Sequence, residues 1–322
     1  MSASAQQGGD WRPGASLDTL RMRAALLADI RAFFGARQVL EVDTPLLGLA
    51  PTSDPHQHCL AVPVPDVGAR YLQPSPEFAM KRLLAAGAGN IYQIGKAFRA
   101  GEHGARHRIE FTLLEWYRID FDYRALMNEV EALVCGLLNR PAARVQSYGE
   151  LFERYVGLDP LSATDARLWR RVAAAGIEPS PTLQAAGRDA ALDILLTGLV
   201  EPALASLGVV FVYDYPASQA ALARLRPDQP ALAERFELYV DGLELANGFT
   251  ELADAGEQRR RFEADNHIRQ ANGLPQVPLD EQLLAALGHG LPDCAGVALG
   301  FDRLLMVAAG LGDIRAAQAF AD

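Results

Sequence analysis

The chain has 322 residues, half of them hydrophobic and 22% charged. That length is about twice the 150-residue prior for one domain, and the composition excludes a wholly disordered chain, a collagen-like repeat and a small disulfide scaffold. Thirty basic against 40 acidic side chains leave a net charge of -10, which excludes a broad phosphate-tracking surface and makes any nucleotide contact local.

Residues 1–16 are rich in Ser, Ala, Gln and Gly and read as a flexible N-terminal arm, with Trp11 as the residue that docks it. They lack a charged segment followed by an apolar run. Ser16 caps a predicted helix with Leu20, Leu27, Ile30 and Phe34 at helical spacing, followed by a short strand from Val39 to Val42. The proline-rich stretch 48–69 reads as a loop or loosely paired ribbon. Ser75-Pro76-Glu77 has the cap, first-turn proline and acid of a helix start. Two strands, IYQIGKAF and EFTLLEWY, then flank the polar connection 99–108.

Asp122 caps a helix to about Leu138, and 148–207 reads as a mostly helical insertion. VVFVYDY and FELYVDGLELANGFTEL are strand-like, helices cover 254–271 and 279–287, and CAGVALGFDRLLMVAAG is a strand, glycine and helix unit. Hairpin-like connections favour an α+β fold, a mainly antiparallel sheet flanked by helices. No uncharged run approaches the roughly 18 residues of a membrane span, so no membrane anchor is expected. Cys59, Cys135 and Cys294 form no C-x-x-C pair, which points to a reducing, cytoplasmic compartment. Cys135 and Cys294 read as buried fillers rather than nucleophiles.

The chemistry concentrates in four segments. FRAGEHGARHR gathers Arg99, His103, Arg106, His107 and Arg108 in an acidic chain, and guanidinium forks suit phosphate oxygens, so a triphosphate is the first candidate and a solvated hairpin tip the plain one. Alternation places Phe111, Leu113, Glu115 and Tyr117 on one strand face, a platform for a base and a cation or else a half-buried strand with Glu115 paired to an arginine. Glu244 and Glu251 bracket Asn247-Gly248 and could hold Mg²⁺ against phosphates. Their separation of seven puts them on opposite faces of a regular strand, so a bulge near Gly248 is needed. Gly296 and Gly300 allow close backbone approach, and Arg303 sits in a first helical turn, where a cation opposes the macrodipole and a bound anion or ring would explain it. A salt bridge to Asp302 or Glu251 is the competing explanation for Arg303.

In this order, VLEVDTPLL, FRAGEHGARHRIEFTLLEWY and GVALGFDRLLM resemble motifs 1, 2 and 3 of the class II aminoacyl-tRNA synthetases. EFTLLEWY and LELANGFTEL resemble the lysyl branch. DWRPGAS, TSDPH, LQPSPEFAMKRLL and VYDYPASQAALA resemble its short stand-alone paralogues, which modify a protein. The resemblance implies a catalytic domain over 17–322, a homodimer through motif 1, and ATP with Mg²⁺. It also implies activation of (R)-β-lysine as an acyl-adenylate and its transfer to a lysine of elongation factor P. The motif-1 helix begins near residue 17, which leaves no room for the OB-fold anticodon domain, so tRNA anticodon recognition is not expected.

By the same resemblance Arg99 meets the α-phosphate and adenine stacks between Phe111 and Arg303. Glu102 and His107 contact adenine and the outer phosphates, the Leu245 backbone and Gly300 line the nucleotide, and Glu244 and Glu251 hold the metal. Arg99, Arg303 and Glu251 are the catalytic residues, and Ser75, Glu77, Glu115, Tyr117, Asn247 and Glu251 form the amino-acid pocket. Two departures stand out. Where the family reads H-N-P-E-F this chain has His107-Arg108-Ile109-Glu110-Phe111, and Ala298 replaces a motif-3 glycine, reshaping the substrate floor in a way consistent with β-lysine. The alternatives are a truncated synthetase-like ligase for α-lysine or another acceptor, and a regulatory paralogue without adenylate chemistry. The second would be expected to lose the motif arginines or metal acids, all of which are present here.

Overall fold

Ser16 Oγ accepts the Thr19 amide at 3.1 Å and starts α1 (Leu17–Gly35), giving an acceptor to one of the amides that a helix leaves unpaired at its N-terminus. The computed structural model describes residues 11–180, 183–184 and 187–320. The buried stripe of α1 runs through Thr19, Leu26, Ile30 and Phe34, with Ile30 and Phe34 as expected, whereas Leu20 and Leu27 are only half-buried and Thr19 and Leu26 take their places. Trp11 is 78% exposed and does not dock the arm. Ala15 is buried instead, and the Gly14 amide donates to Ala319 O at 2.9 Å. Residues 1–10 of the expected arm lie outside the described residues.

After β1 (Leu40–Glu41), the proline-rich stretch is a paired ribbon: β2 (Leu47–Gly48), β3 (Ala61–Val64) and β4 (Gly68–Leu72) form a small antiparallel sheet. In α2 (Glu77–Ala85) the cap position belongs to Pro76, and Ser75, one residue earlier, accepts the Glu77 amide at 3.0 Å. The strands β5 (Ile91–Phe98) and β6 (Glu110–Ile119) pair as an antiparallel hairpin, and Asp122 caps α3 (Tyr123–Leu138) through the Ala125 amide at 2.7 Å.

With β7 (Arg144–Ser147), β8 (Val209–Pro216), β9 (Leu232–Val240), β10 (Leu243–Thr250) and β11 (Cys294–Gly300), one eight-stranded sheet forms in the order β1-β5-β6-β11-β10-β9-β8-β7. Its pairs are antiparallel except the outermost, β1 with β5 and β7 with β8. One face is apolar: Leu114, Trp116, Phe236, Leu238, Val297 and Leu299 pack with side chains of α1, α3 and the helix Phe301–Ala309. Burial of that continuous face is the main driving force for the layer arrangement.

On the opposite face helices pack over the two ends. Over β8 and β9 the helical insertion packs Tyr148, Phe152, Leu168, Leu192 and Leu196 against Val210, Val212, Tyr215 and Tyr239, so it shares its core with the sheet. Within it, Arg188–Leu207 is 20 residues long with mean hydropathy 1.6, enough to cross a membrane by length and composition, yet its Ala191, Leu192, Leu195, Val200 and Leu204 lie in that core. Over Ile91, Tyr117 and Cys294 sit α2 and the helices Ala255–Ala271 and Glu281–Gly290. Cys294 is a buried filler as expected, but Cys135 is half-buried, its Sγ donating to Pro141 O at 3.3 Å. Between the two helical covers lies a polar strip of sheet.

Candidate active site

Strand register decides which side chains share that strip, because directly paired residues point to the same face. Leu113, Glu115 and Tyr117 of β6 pair with Gly300, Ala298 and Gly296 of β11, and Ala298 and Gly296 pair in turn with Asn247 and Phe249 of β10. The bulge that the two glutamates require is present, at Leu245 rather than near Gly248. Glu244 faces Tyr239 and Asn247 faces Glu237, so three steps on β10 match two on β9. The extra residue restores Glu244 to the face carrying Asn247 and Glu251. Leu245 turns its side chain into the apolar core, so only its backbone is offered to the cleft. Gly248 is in regular register, and its glycine answers to the other face, where a Cβ would stand 2.6 Å from Phe236 Cζ and 2.8 Å from Val297 Cβ.

At one end of the strip the basic loop meets the final helix. The Arg99 guanidinium carbon lies 5.1 Å from the Phe111 ring centroid, and its Nη1 is 3.7 Å from Glu102 Oε1. Arg99 Nε is buried with no hydrogen-bond partner among the described residues, a donor left for a ligand. Arg303 donates from Nη1 to Glu244 O at 2.9 Å and to Glu244 Oε2 at 3.2 Å, and from Nε to Arg106 O at 3.2 Å, while its Nη2 is 2.7 Å from His107 Nε2. Its acidic partner is thus Glu244, neither Asp302 nor Glu251. Burial and Glu237 push the Glu244 carboxyl up, against Arg303 and Arg99. Gly300 opens the helix, but a Cβ there would meet only the Arg303 side chain, 3.6 Å away at the closest, so sterics do not demand glycine at that point.

The other end is acidic and closely hydrogen-bonded. Ser75 Oγ and Tyr117 Oη each donate to Glu115 at 2.7 Å, and no arginine among the described residues pairs with that carboxylate. Burial, with Glu77 adding, pushes Glu115 up to about 7, while Ser75, Tyr117 and Lys81 hold it back. Burial, with Glu77 and Glu115 adding, pushes the carboxyl of Glu251, 3% exposed, upward, and the Lys81 ammonium opposes this. Lys81, 1% exposed, stands 2.6 Å from both Glu77 Oε1 and Glu251 Oε2. Burial works against its ammonium, but Glu251 and Glu77 outweigh that and raise its pKa. Asn247 donates to Glu237 Oε1 at 3.2 Å and accepts from Arg235 Nε at 3.4 Å, and Glu237 Oε2 accepts from Tyr215 and Tyr239, each at 2.7 Å.

All the residues expected in the nucleotide and amino-acid subsites therefore lie on or beside one strip, but the two metal candidates belong to different groups. Glu244 pairs with Arg303 and Glu251 with Lys81, and no hydrogen bond or ion pair among the described residues joins the groups. Sequence reading missed Lys81, Arg235 and Glu237. Lys81 had a signal: it is one of two lysines in the chain, four residues after Glu77, the spacing of a helical ion pair. Glu237 and Arg235 had only their polarity inside the strand ERFELY.

A family model, tRNA synthetases class II (D, K and N), matches residues 7–322. A Vibrio cholerae protein named elongation factor P--(R)-beta-lysine ligase is 47% identical over 320 residues, covering 97% of each chain. A protein of the same name from Edwardsiella ictaluri is 49% identical over 303 residues, 92% of this chain and 93% of that one. One from Salmonella dublin is 47% identical over 316 residues, 96% of this chain and 97% of that one.

Proposed function

Because the chain belongs to the class II tRNA synthetases of the D, K and N type, we propose that it joins (R)-β-lysine to a lysine side chain of elongation factor P at the expense of ATP. The β-lysine carboxylate attacks the α-phosphorus and diphosphate leaves. The acceptor amine then attacks the acyl carbon, loses a proton, and AMP leaves. The observation that carries the reading is the placement of a guanidinium and aromatic group, Arg99, Phe111 and Arg303, on the same strip as the buried acids Glu115 and Glu251 and the half-buried Glu77. One end suits a nucleoside triphosphate and the other a substrate with two ammonium groups, each of which needs a charge-assisted partner once desolvated.

Arg99 faces the α-phosphate and offsets the charge that builds at phosphorus during displacement. Adenine lies between Phe111 and Arg303, with Glu102, His107, the Leu245 backbone and Gly300 around the nucleotide. Ser75, Glu77, Glu115, Tyr117, Asn247 and Glu251 hold the amino acid, and Ala298, paired with both Glu115 and Asn247, forms its floor. Of the two carboxylates read as metal ligands, Glu244 offers hard oxygens on the nucleotide side and fits Mg²⁺, whereas Glu251 already neutralises Lys81 and fits a substrate ammonium. Bound there, Mg²⁺ supplies charge neutralisation to the phosphates. Leu17 and Met22 stand exposed on α1, as a homodimer through motif 1 requires, and the three free cysteines fit a cytoplasmic setting.

The test is exchange of labelled pyrophosphate into ATP with (R)-β-lysine, α-lysine or no amino acid, followed by mass spectrometry of elongation factor P. Exchange with (R)-β-lysine well above α-lysine, and one acyl addition to the factor, are expected. Faster exchange with α-lysine transfers the assignment to that substrate, and no exchange with either refutes it.

A further inference from the structure

The two walls of the proposed adenine slot come from segments 192 positions apart in the chain, Phe111 on β6 and Arg303 in the helix Phe301–Ala309. Their immediate neighbours are joined directly: the Thr112 amide donates to Asp302 Oδ2 at 2.9 Å. Arg23 of α1 closes the same junction with a fork, Nη1 to Asp302 Oδ1 at 2.6 Å and Nη2 to Thr112 Oγ1 at 2.8 Å, while its guanidinium carbon lies 4.7 Å from the Phe301 ring centroid. Gln318 Nε2 donates to Asp302 Oδ2 at 3.1 Å and to Glu110 O at 3.0 Å. Asp302 is 1% exposed and Thr112 5%. Thr112 alternates with Phe111 along β6, so it points away from the strip.

We propose that Asp302 and Arg23 are positioning residues for ATP, setting the gap between Phe111 and Arg303 without touching the nucleotide. The proposal rests on the reading that adenine occupies that gap. A buried ion pair returns little net stability, because desolvation offsets its Coulomb attraction. What this one supplies is geometry. Three donors fix the Asp302 carboxylate, the planar Arg23 fork matches two acceptors at once, and the Asp302 backbone carries the helical turn from which Arg303 projects. A shift of about 1 Å between the walls is enough to weaken a stacked ligand severely.

The experiment compares wild type with Asp302→Asn, Arg23→Gln and Arg23→Lys, measuring ATP affinity by calorimetry, separate KM values for ATP and amino acid in pyrophosphate exchange, and thermal unfolding. Asp302→Asn and Arg23→Gln are expected to weaken ATP binding about tenfold, with the amino-acid KM within about twofold of wild type. Arg23→Lys is expected to recover part of the loss, since it keeps the charge but not the fork. Should Asp302→Asn not fold, the two Arg23 variants decide, because that side chain is 20% exposed on α1. Unchanged ATP affinity in folded variants, or equal rises in both KM values, would overturn the proposal. A wild type that binds ATP without exchange refutes the ligase reading while the binding data still judge Asp302 and Arg23. A wild type that does not bind ATP overturns both.

Discussion

Arg303 Nη2 lies 2.7 Å from His107 Nε2, and since arginine has only donors, the imidazole nitrogen there must accept. Burial, then Arg303, then Arg99 and Arg106 hold the His107 pKa below its ordinary value of 6.5, with Glu102 pulling the other way. A folded-state pKa that is depressed means the folded protein binds fewer protons than the unfolded chain. The contribution to stability is therefore complete above about 6.5 and is lost as pH falls toward the folded value. Protonation also breaks the contact that steadies Arg303. The KM for ATP is thus expected to be flat above about pH 7 and to rise below about 6.5. His107→Gln, which keeps an acceptor that does not titrate in this range, should flatten the profile, and a variant that keeps the wild-type rise would reject His107 as its source.

Arg99 has one donor buried without a partner among the described residues and lies over the Phe111 ring. Arg99→Ala is expected to slow pyrophosphate exchange at least about 100-fold, the scale of losing one charge-stabilising donor in a displacement. The melting temperature should stay close to that of wild type, since the buried Nε has no partner among the described residues and the Glu102 pair, at 3.7 Å, is long and partly exposed. Exchange within a few-fold of wild type would exclude Arg99 from the phosphate site.

Glu115 is raised to about 7, chiefly by burial. An acid whose folded pKa exceeds the unfolded one favours the folded state most below the unfolded value of 4.5. That advantage is lost as pH rises through about 7. Stability of the free protein is therefore expected to decline over that interval, and Glu115→Gln to remove the decline. A bound ammonium favours the carboxylate, so (R)-β-lysine binding near pH 7 should release protons, read as a heat that varies with the buffer's ionisation enthalpy. Glu115→Gln should abolish this release and raise the amino-acid KM about 10- to 100-fold, the range for a lost charge-assisted hydrogen bond. Buffer-independent heat in the wild type would contradict the assignment.

Most of the fold was legible because local signals agreed with one another. Ser16 and Asp122 cap the helices they precede, and EFTLLEWY alternates as β6 does. The bulge was demanded by the odd spacing of Glu244 and Glu251, yet its place depends on the register with β9, a partner strand the spacing does not mention. Gly248 drew attention as a glycine, but close packing on the far face explains it. Lys81 escaped because a helix of nine residues with Met80, Leu84 and a lysine reads as amphipathic. Only tertiary packing shows that this lysine points inward, between two acids. That His107, Glu244 and Arg303 come together was legible from motif order, whereas the division of Glu244 and Glu251 between different cations needed coordinates.

Gly296 is the one glycine of the motif-3 strand whose lack of a side chain the structure requires. A Cβ there would lie 2.3 Å from Tyr117 Cε1 and 2.5 Å from Glu251 Oε1. Neither neighbour can yield cheaply: Tyr117 is 2% exposed and hydrogen-bonded to Glu115, and Glu251 is 3% exposed and paired with Lys81. The Gly296→Ala methyl must displace the phenol, the carboxylate or the strand itself, at about 1–3 kcal/mol of overpacking. Because both displaced groups belong to the proposed amino-acid pocket, the KM for (R)-β-lysine should rise while ATP affinity, measured without amino acid, stays within about twofold, since no ion pair among the described residues joins the two ends of the strip and couples them. Gly300→Ala, whose methyl would meet only Arg303 at 3.6 Å, serves as the contrast and should leave the amino-acid KM unchanged. Equal effects of the two substitutions on that KM would show that the crowding at Tyr117 and Glu251 does not shape the pocket.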